Sequence, residues 1–172
     1  MKKILALVLA LCLLSVCALA ADSKTSGKGT VITGDEAATE EVETIVELEP
    51  VSEELLAKFE GGEAPIFVFA EATKAAVDAL IGGDSANLKL IELNGISIAE
   101  DAEGDVSATL DYDEDFTQFS NVVGIVATED ASLELPYLLT VNEEGNLDIT
   151  FPAADVAKIQ AAANPFIAIL AE

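Results

Sequence analysis

The sequence contains no histidine, arginine or tryptophan, and its two cysteines, Cys12 and Cys17, lie among the first twenty residues. Without histidine or cysteine elsewhere, Ser-His and Cys-His nucleophilic pairs, zinc sites with imidazole or thiolate ligands and the usual axial haem ligands are excluded. Without arginine there is no bidentate guanidinium clamp for phosphate or carboxylate. These absences remove most catalytic chemistry and predict that the chain is not an enzyme.

Positive charge is also scarce, because lysine supplies all eight basic residues, and two of them, Lys2 and Lys3, lie at the start of the chain. All 32 aspartates and glutamates follow residue 20, where they face only six lysines. Such a polyanion repels nucleic-acid phosphates and anionic membrane surfaces. We therefore expect no nucleic-acid partner, and we interpret the charge as a source of solubility.

Residues 1–20 have the pattern of a secretory signal peptide. Lys2 and Lys3 precede an apolar stretch at 4–16, and the Ala-Leu-Ala motif at 18–20 is typical of a cleavage site. The apolar stretch is shorter than the ~20 residues that a membrane span needs. The pattern predicts a secreted, extracellular protein whose mature chain has no transmembrane span.

Cys17 gives an alternative interpretation of the same segment. The sequence Leu-Ser-Val-Cys at 14–17 resembles a bacterial lipobox, in which Cys17 would carry a lipid and become the mature N-terminus. The small residue that usually precedes such a cysteine is replaced by Val16. We therefore favour free secretion, and a membrane-tethered lipoprotein is the alternative.

The remainder of the chain has the length of one domain. Residues 21–34 are rich in Ser, Thr, Gly and Lys without apolar periodicity, which is typical of a flexible leader. Residues 35–172 are predicted to form a single acidic domain, because a chain of this size can bury a sizeable core. With no cysteine left for a disulfide, packing must stabilise that domain.

Three short helices are predicted from their end signals. Ser52 is a good N-cap for a helix over about 53–60. Apolar residues at helical spacing, followed by two glycines, predict a second helix over 71–81. Pro152 favours the start of a third helix, which Asn164 and the proline after it end.

Strands are predicted from alternating or continuous apolar runs. Most of these runs are separated by short turn segments rather than by helices, which argues for an α+β domain with a mostly antiparallel sheet. The predicted strands, apart from the two regions described next, lie at 42–48, 106–112, 122–128, 137–141, 147–151 and 166–170.

Asn94 and Gly95 lie between two β-rich runs. Asn-Gly is the favoured pair for a two-residue type I′ turn, because both positions of that turn need a positive φ. The pair predicts a hairpin with strands at about 88–93 and 96–100.

Residues 65–70 are nearly all apolar. Such a run indicates a strand that is covered on both faces, with a buried helical turn as the alternative. Its two aromatic residues, Phe67 and Phe69, are expected in the core, because apolar side chains are mostly buried.

Eight acidic residues fall between residues 100 and 115, with no lysine among them. Asp111, Asp113 and Asp115 place carboxylates at alternate positions, like the opening of a calcium loop. Phe116 and Val122 stand where an EF-hand needs a glycine and a closing glutamate. Solvated carboxylates are the simpler interpretation, and a calcium site at these three aspartates is the alternative; no other cofactor is expected.

The lysine-started signal, the acidic alanine-rich domain and the segment NEEGNLDITFPAADVAKIQ at 142–160 resemble exported acidic proteins of Gram-positive anaerobic bacteria. The resemblance covers the signal and that segment. It implies export and no particular activity.

Three functions are compatible with these observations. We favour a secreted, non-enzymatic binding or structural module, whose partner is an extracellular or cell-surface protein or glycan. A calcium-binding or calcium-stabilised domain is the second hypothesis. The third is a glycoside hydrolase that uses only carboxylates, since that chemistry needs two acids about 5 to 10 Å apart, but the 32 acids do not nominate a pair.

Overall fold

The computed structural model describes residues 28–30, 45–61 and 64–172. The predicted signal peptide with Cys17, most of the predicted leader and the first residues of the strand predicted at 42–48 lie outside these ranges. Within them, three α-helices and two antiparallel sheets confirm the predicted α+β class. No helix in the described ranges has the length and apolar character that crossing a bilayer requires.

The two sheets differ in size. The smaller has the strand order β1-β4-β8-β7, with β1 (Lys28–Thr30), β4 (Val106–Asp111), β8 (Leu147–Phe151) and β7 (Thr140–Val141). The larger has the order β2-β3-β9-β5-β6, with β2 (Val46–Pro50), β3 (Lys89–Ile98), β9 (Phe166–Ala171), β5 (Val122–Ala127) and β6 (Glu134–Leu138). The helices are α1 (Glu53–Phe59), α2 (Glu71–Ile81) and α3 (Ala153–Ala161), and short 3₁₀ helices lie at Pro65–Val68, Ser85–Asn87 and Phe116–Gln118.

The larger sheet is the middle layer of three. One of its faces packs on the smaller sheet and on α3, and the other packs on α1, α2 and the 3₁₀ helix Pro65–Val68. The central strand β9 therefore has no solvent-facing side, and all six of its residues are buried. This explains why its sequence is a continuous apolar run rather than an alternating one.

Asn94 and Gly95 do not form the predicted hairpin turn. They lie within the single strand β3, which pairs with β2 on one side and with β9 on the other. Gly95 is not among the described glycines with a positive φ, which a type I′ turn would need. The prediction was wrong because pairing on both edges of β3 outweighs the local turn preference of the dipeptide.

The strand predicted at 65–70 is also wrong. Residues Pro65–Val68 form a 3₁₀ helix, as the helical alternative anticipated, and the backbone N–H of Phe69 donates to the carbonyl of Ile66 at 3.2 Å. Phe69 is buried as expected, but Phe67 is 51% exposed. A helical turn directs successive side chains around its axis, so this short segment buries some of its apolar residues and exposes others.

The three predicted helices are confirmed, and the first two have different N-caps. Ser52 caps α1, because its hydroxyl accepts from the backbone N–H of Leu55 at 3.2 Å. Helix α2 has Ala70 at its N-cap, which has no side-chain acceptor. Glu134 of β6 substitutes for it: its two carboxylate oxygens accept from the N–H of Ala70 at 3.2 and 3.1 Å, and one also accepts from the Thr73 hydroxyl.

Replacing Glu134 with alanine should lower the free energy of unfolding by about 1 to 2 kcal/mol, because the start of α2 loses its cap and the buried Thr73 hydroxyl loses its acceptor. Urea unfolding followed by far-UV circular dichroism measures this. Glu143→Ala, at an exposed residue, is the matched control and should change stability by less than about 0.5 kcal/mol. Equal effects of the two variants would contradict the capping role.

Asp78 links the end of α2 to the 3₁₀ helix that follows. Its Oδ1 accepts from the hydroxyl and the backbone N–H of the fully buried Ser85 at 2.6 and 2.8 Å, and its Oδ2 accepts from Lys74 at 2.9 Å. These hydrogen bonds lower the pKa of Asp78 to about 2 from its ordinary 3.8. The two bonds from Ser85 have the largest effects, and the bond from Lys74 has the next largest.

This lowered pKa predicts an acid-dependent contribution to stability. Because the folded pKa lies below the unfolded one, the contribution is complete above about pH 4 and disappears as the pH falls toward 2. The difference in free energy of unfolding between the wild type and Asp78→Asn should follow that course in urea titrations at successive pH values. The exposed Asp113→Asn is the control, and a pH-independent difference for Asp78→Asn would contradict the linkage.

Candidate functional site

A cleft opens at the β2 edge of the larger sheet, on the face that the helices cover. It encloses about 390 Å³ between the end of β2, the start of α1, the middle of β3 and the segment that leads into β9. Ligand pockets for small groups begin at about 300 Å³. The cleft is therefore large enough for a small molecule or for one long side chain of a partner.

Gly95 forms the floor of the cleft. It is paired with Glu49 of β2 on one side and with Phe166 of β9 on the other, and directly paired residues share a face of the sheet. A side-chain carbon at this position would lie 3.4 Å from the carbonyl oxygen of Glu49. Glycine inside a strand weakens it and often marks close approach of a backbone or ligand. Its missing side chain is what leaves the cleft open.

The apolar wall of the cleft comes from residues that the core already fixes. Leu55 of α1 and Phe166 of β9 are both buried in the helix-side core. Pro165 is held in place because its carbonyl accepts from the N–H of Ile96 at 2.9 Å. Asn164 has a φ of 49°, in the left-handed region that asparagine tolerates better than most residues, and this turn directs the chain from α3 into β9. The wall is therefore positioned by core packing and by this hydrogen bond between the segment before β9 and β3.

Two carboxylates, Glu49 and Glu129, complete the lining. Glu129 lies in a tight turn in which the N–H of Thr128 donates to the Leu133 carbonyl at 3.1 Å. In the same turn, hydrogen bonds from the Thr128 hydroxyl and then from Ser132 lower the pKa of Asp130 to about 2. A turn with this many internal bonds fixes the backbone from which Glu129 projects.

Lys58 of α1 already contacts one of these carboxylates. Its Nζ lies 3.4 Å from Oε2 of Glu129, and both side chains are about two-fifths exposed. Glu49 takes part in none of the four ion pairs formed by the described residues. The cleft thus offers one carboxylate with an exposed ammonium partner and one without.

The cleft does not provide the buried acid that glycoside hydrolysis needs. A general acid in that reaction keeps its proton because an apolar environment raises its pKa. Glu49 and Glu129 are both exposed, and they are the only acids among the described lining residues. The lining therefore contributes two exposed carboxylates, which suit the binding of a cation.

The three aspartates predicted as a calcium site are not held together as ligands. Asp111 lies on the outward face of β4, Asp113 is exposed, and Asp115 caps the 3₁₀ helix Phe116–Gln118 by accepting from the Thr117 hydroxyl and N–H at 2.6 and 3.0 Å. Those two bonds lower the pKa of Asp115. The described ranges contain no group of three or more acidic side chains placed to hold a metal ion, and calcium binding stays a prediction.

The comparisons with known proteins give no family. No protein-family model matches this chain, and neither a curated protein nor a solved structure matches it.

Sequence reasoning did not find the cleft. The Asn-Gly pair predicts a turn at Gly95, although a glycine between two apolar β-rich runs also fits the interior of one long strand. Glu49 and Glu129 are two among 32 acids and are 80 positions apart in the chain. The signal that was available is the strand-interior glycine alone.

Proposed function

We propose that this chain is an exported, non-enzymatic binding module that takes its ligand in the cleft above Gly95. The observation that carries the proposal is a glycine in the interior of β3, paired on both sides, which leaves a cleft of about 390 Å³ open between Glu49 and Phe166. A larger residue would make a better strand, because glycine inside a strand is destabilising by roughly 0.5 to 1 kcal/mol. A ligand-binding site at this position gives a reason for a destabilising glycine in the interior of β3.

The non-enzymatic part of the proposal is supported by chemistry. Beyond residue 20 the chain has no histidine, cysteine or arginine, so it lacks most of the side chains that act as nucleophiles or acid-base catalysts. The carboxylates at the cleft are exposed to solvent. Exposed carboxylates of this kind bind cations.

Export is supported by the charged start, the apolar stretch and the Ala-Leu-Ala motif of residues 1–20. We propose free secretion, with lipid attachment at Cys17 as the alternative. Mass spectrometry of the mature N-terminus distinguishes them: an unmodified chain that begins at Ala21 supports secretion, and a diacylated chain that begins at Cys17 overturns it.

Occlusion of the cleft tests the binding function. Gly95→Leu fills the floor without changing the charge, and Gly83→Leu, at an exposed glycine after α2, is the matched control. Each variant of the exported protein is immobilised and exposed to culture medium and to a cell-envelope extract. A ligand retained by the wild type and by Gly83→Leu but lost by Gly95→Leu is the expected result. Equal retention by all three, or turnover of a substrate, contradicts the proposal.

A further inference from the structure

We infer that the cleft receives a lysine side chain from a partner protein, an inference that rests on the proposed binding function. The cleft combines an apolar wall, formed by Leu55, Pro165 and Phe166, with carboxylates at Glu49 and Glu129. Lysine has the matching composition: four methylene groups that bury against apolar surface and a terminal ammonium that stays near water. Its charge is complementary to that of the cleft.

The chain's own Lys58 shows that one of the lining carboxylates, Glu129, pairs with an ammonium group. Its Nζ lies 3.4 Å from Glu129, but the pair is exposed. Exposed ion pairs contribute little to stability, so an incoming lysine displaces Lys58 from Glu129 at small cost. Glu49, which is in none of the described ion pairs, provides a second carboxylate for the same ammonium.

Lysine fits better than arginine because of how each cation binds. A guanidinium presents a planar fork that matches the two oxygens of a single carboxylate. An ammonium is a compact charge with three donors that can point to oxygens from different residues. The cleft offers two carboxylates from separate elements, one on β2 and one on the turn after β5.

The charge of the whole molecule supports a cationic partner. All 32 acidic residues follow residue 20, against six lysines, and a field of one sign accelerates the approach of the opposite charge. This field acts at long range and does not select a site. The experiment therefore has to separate the cleft carboxylates from the general charge.

Fluorescence anisotropy tests the inference with a labelled octapeptide that carries two lysines among alanines and glycines, at physiological salt. The cleft variant is the double change Glu49→Gln and Glu129→Gln. The matched control is Glu143→Gln with Glu144→Gln, which removes the same charge from the exposed loop between β7 and β8. We expect affinity to fall about tenfold for the cleft variant and less than about twofold for the control, as loss of two ion pairs implies.

Three further measurements make the inference specific. Acetylation of both peptide lysines should weaken binding about tenfold, because acetylation removes the charge. Replacing Lys58 with methionine should strengthen binding about twofold, since the internal competitor is gone, whereas Lys89→Met, at an exposed lysine of β3, should not. Gly95→Leu should weaken binding as much as the cleft double variant does.

Each contrary outcome has one meaning. Equal weakening by the cleft and control double variants shows attraction by net charge alone and overturns the inference, as does the absence of binding to the wild type. Tighter binding of an arginine peptide overturns the choice of lysine. If the acetylated peptide binds as well as the lysine peptide but Gly95→Leu abolishes both, the lysine inference fails while the proposed cleft function stands. Should Gly95→Leu fail to fold, as judged by circular dichroism, the two glutamate double variants decide.

Discussion

Replacing Ile169 with alanine should lower the free energy of unfolding by about 2 to 5 kcal/mol. Ile169 is fully buried on the side of β9 that faces the smaller sheet. Its truncation leaves a cavity between two sheets whose strands are held by their own hydrogen bonds, so the site collapses poorly. Since a domain is stable by about 5 to 15 kcal/mol in total, this single change removes a large fraction. Urea unfolding followed by circular dichroism measures it.

Phe67→Ala is the matched control for Ile169→Ala. It removes more apolar atoms, but about half of Phe67 is already exposed to water. We expect a change of less than about 0.5 kcal/mol. An effect of Phe67→Ala as large as that of Ile169→Ala would mean that the described layering of the core is wrong.

Replacing Gly145 with alanine should lower the free energy of unfolding by about 2 to 4 kcal/mol, from backbone strain and overpacking together. Gly145 has a φ of 85°, and an added Cβ would lie 2.8 Å from Oδ1 of Asp115. Its carbonyl also accepts from the N–H of Phe116 at 3.2 Å, so the loop cannot shift without disturbing the neighbouring segment. Thermal and urea unfolding both measure the loss.

Gly104→Ala separates the two causes. Gly104 has a similar φ of 80°, but an added Cβ would have no neighbour within 4 Å. The strain therefore acts alone, and we expect a loss of about 1 kcal/mol. A loss at Gly145 no larger than that at Gly104 would contradict the steric contact with Asp115.

The elements that could be predicted from the sequence are those whose ends are determined locally. Ser52 supplies its own capping oxygen to α1, and Gly82 ends α2 with a φ of 64°. The strand predicted at 106–112 corresponds to β4, in which buried and exposed residues alternate because one face of the strand is exposed. In each case the interaction that determines the structure lies within a few residues, which is the range a sequence pattern covers.

The sequence-based predictions fail where residues that are distant in the chain determine the local structure. Asn94 and Gly95 have a strong turn preference, but β2 and β9 pair with them from positions about 45 residues before and 70 after. The start of α2 also depends on a distant residue, since its cap comes from Glu134, 64 residues after Ala70. No window along the sequence contains both partners.

The candidate site was missed for the same physical reason. The cleft is the space between residues of three neighbouring strands. The register between those strands decides which side chains lie next to one another and where space remains. Gly95 forms a floor only because Glu49 and Phe166 are placed beside it. The sequence instead predicts a calcium site in the acidic cluster at 100–115, because charge can be read directly from the sequence whereas strand register cannot.

The central position of β9 determines the order in which the molecule can finish folding. This strand follows every other described element along the chain, yet both apolar cores share it as a wall. Until it is inserted, β3 and β5 have unpaired edges facing each other and neither core can close. Because synthesis proceeds from the N-terminus, the strand that closes both cores is the last of the described elements to be made.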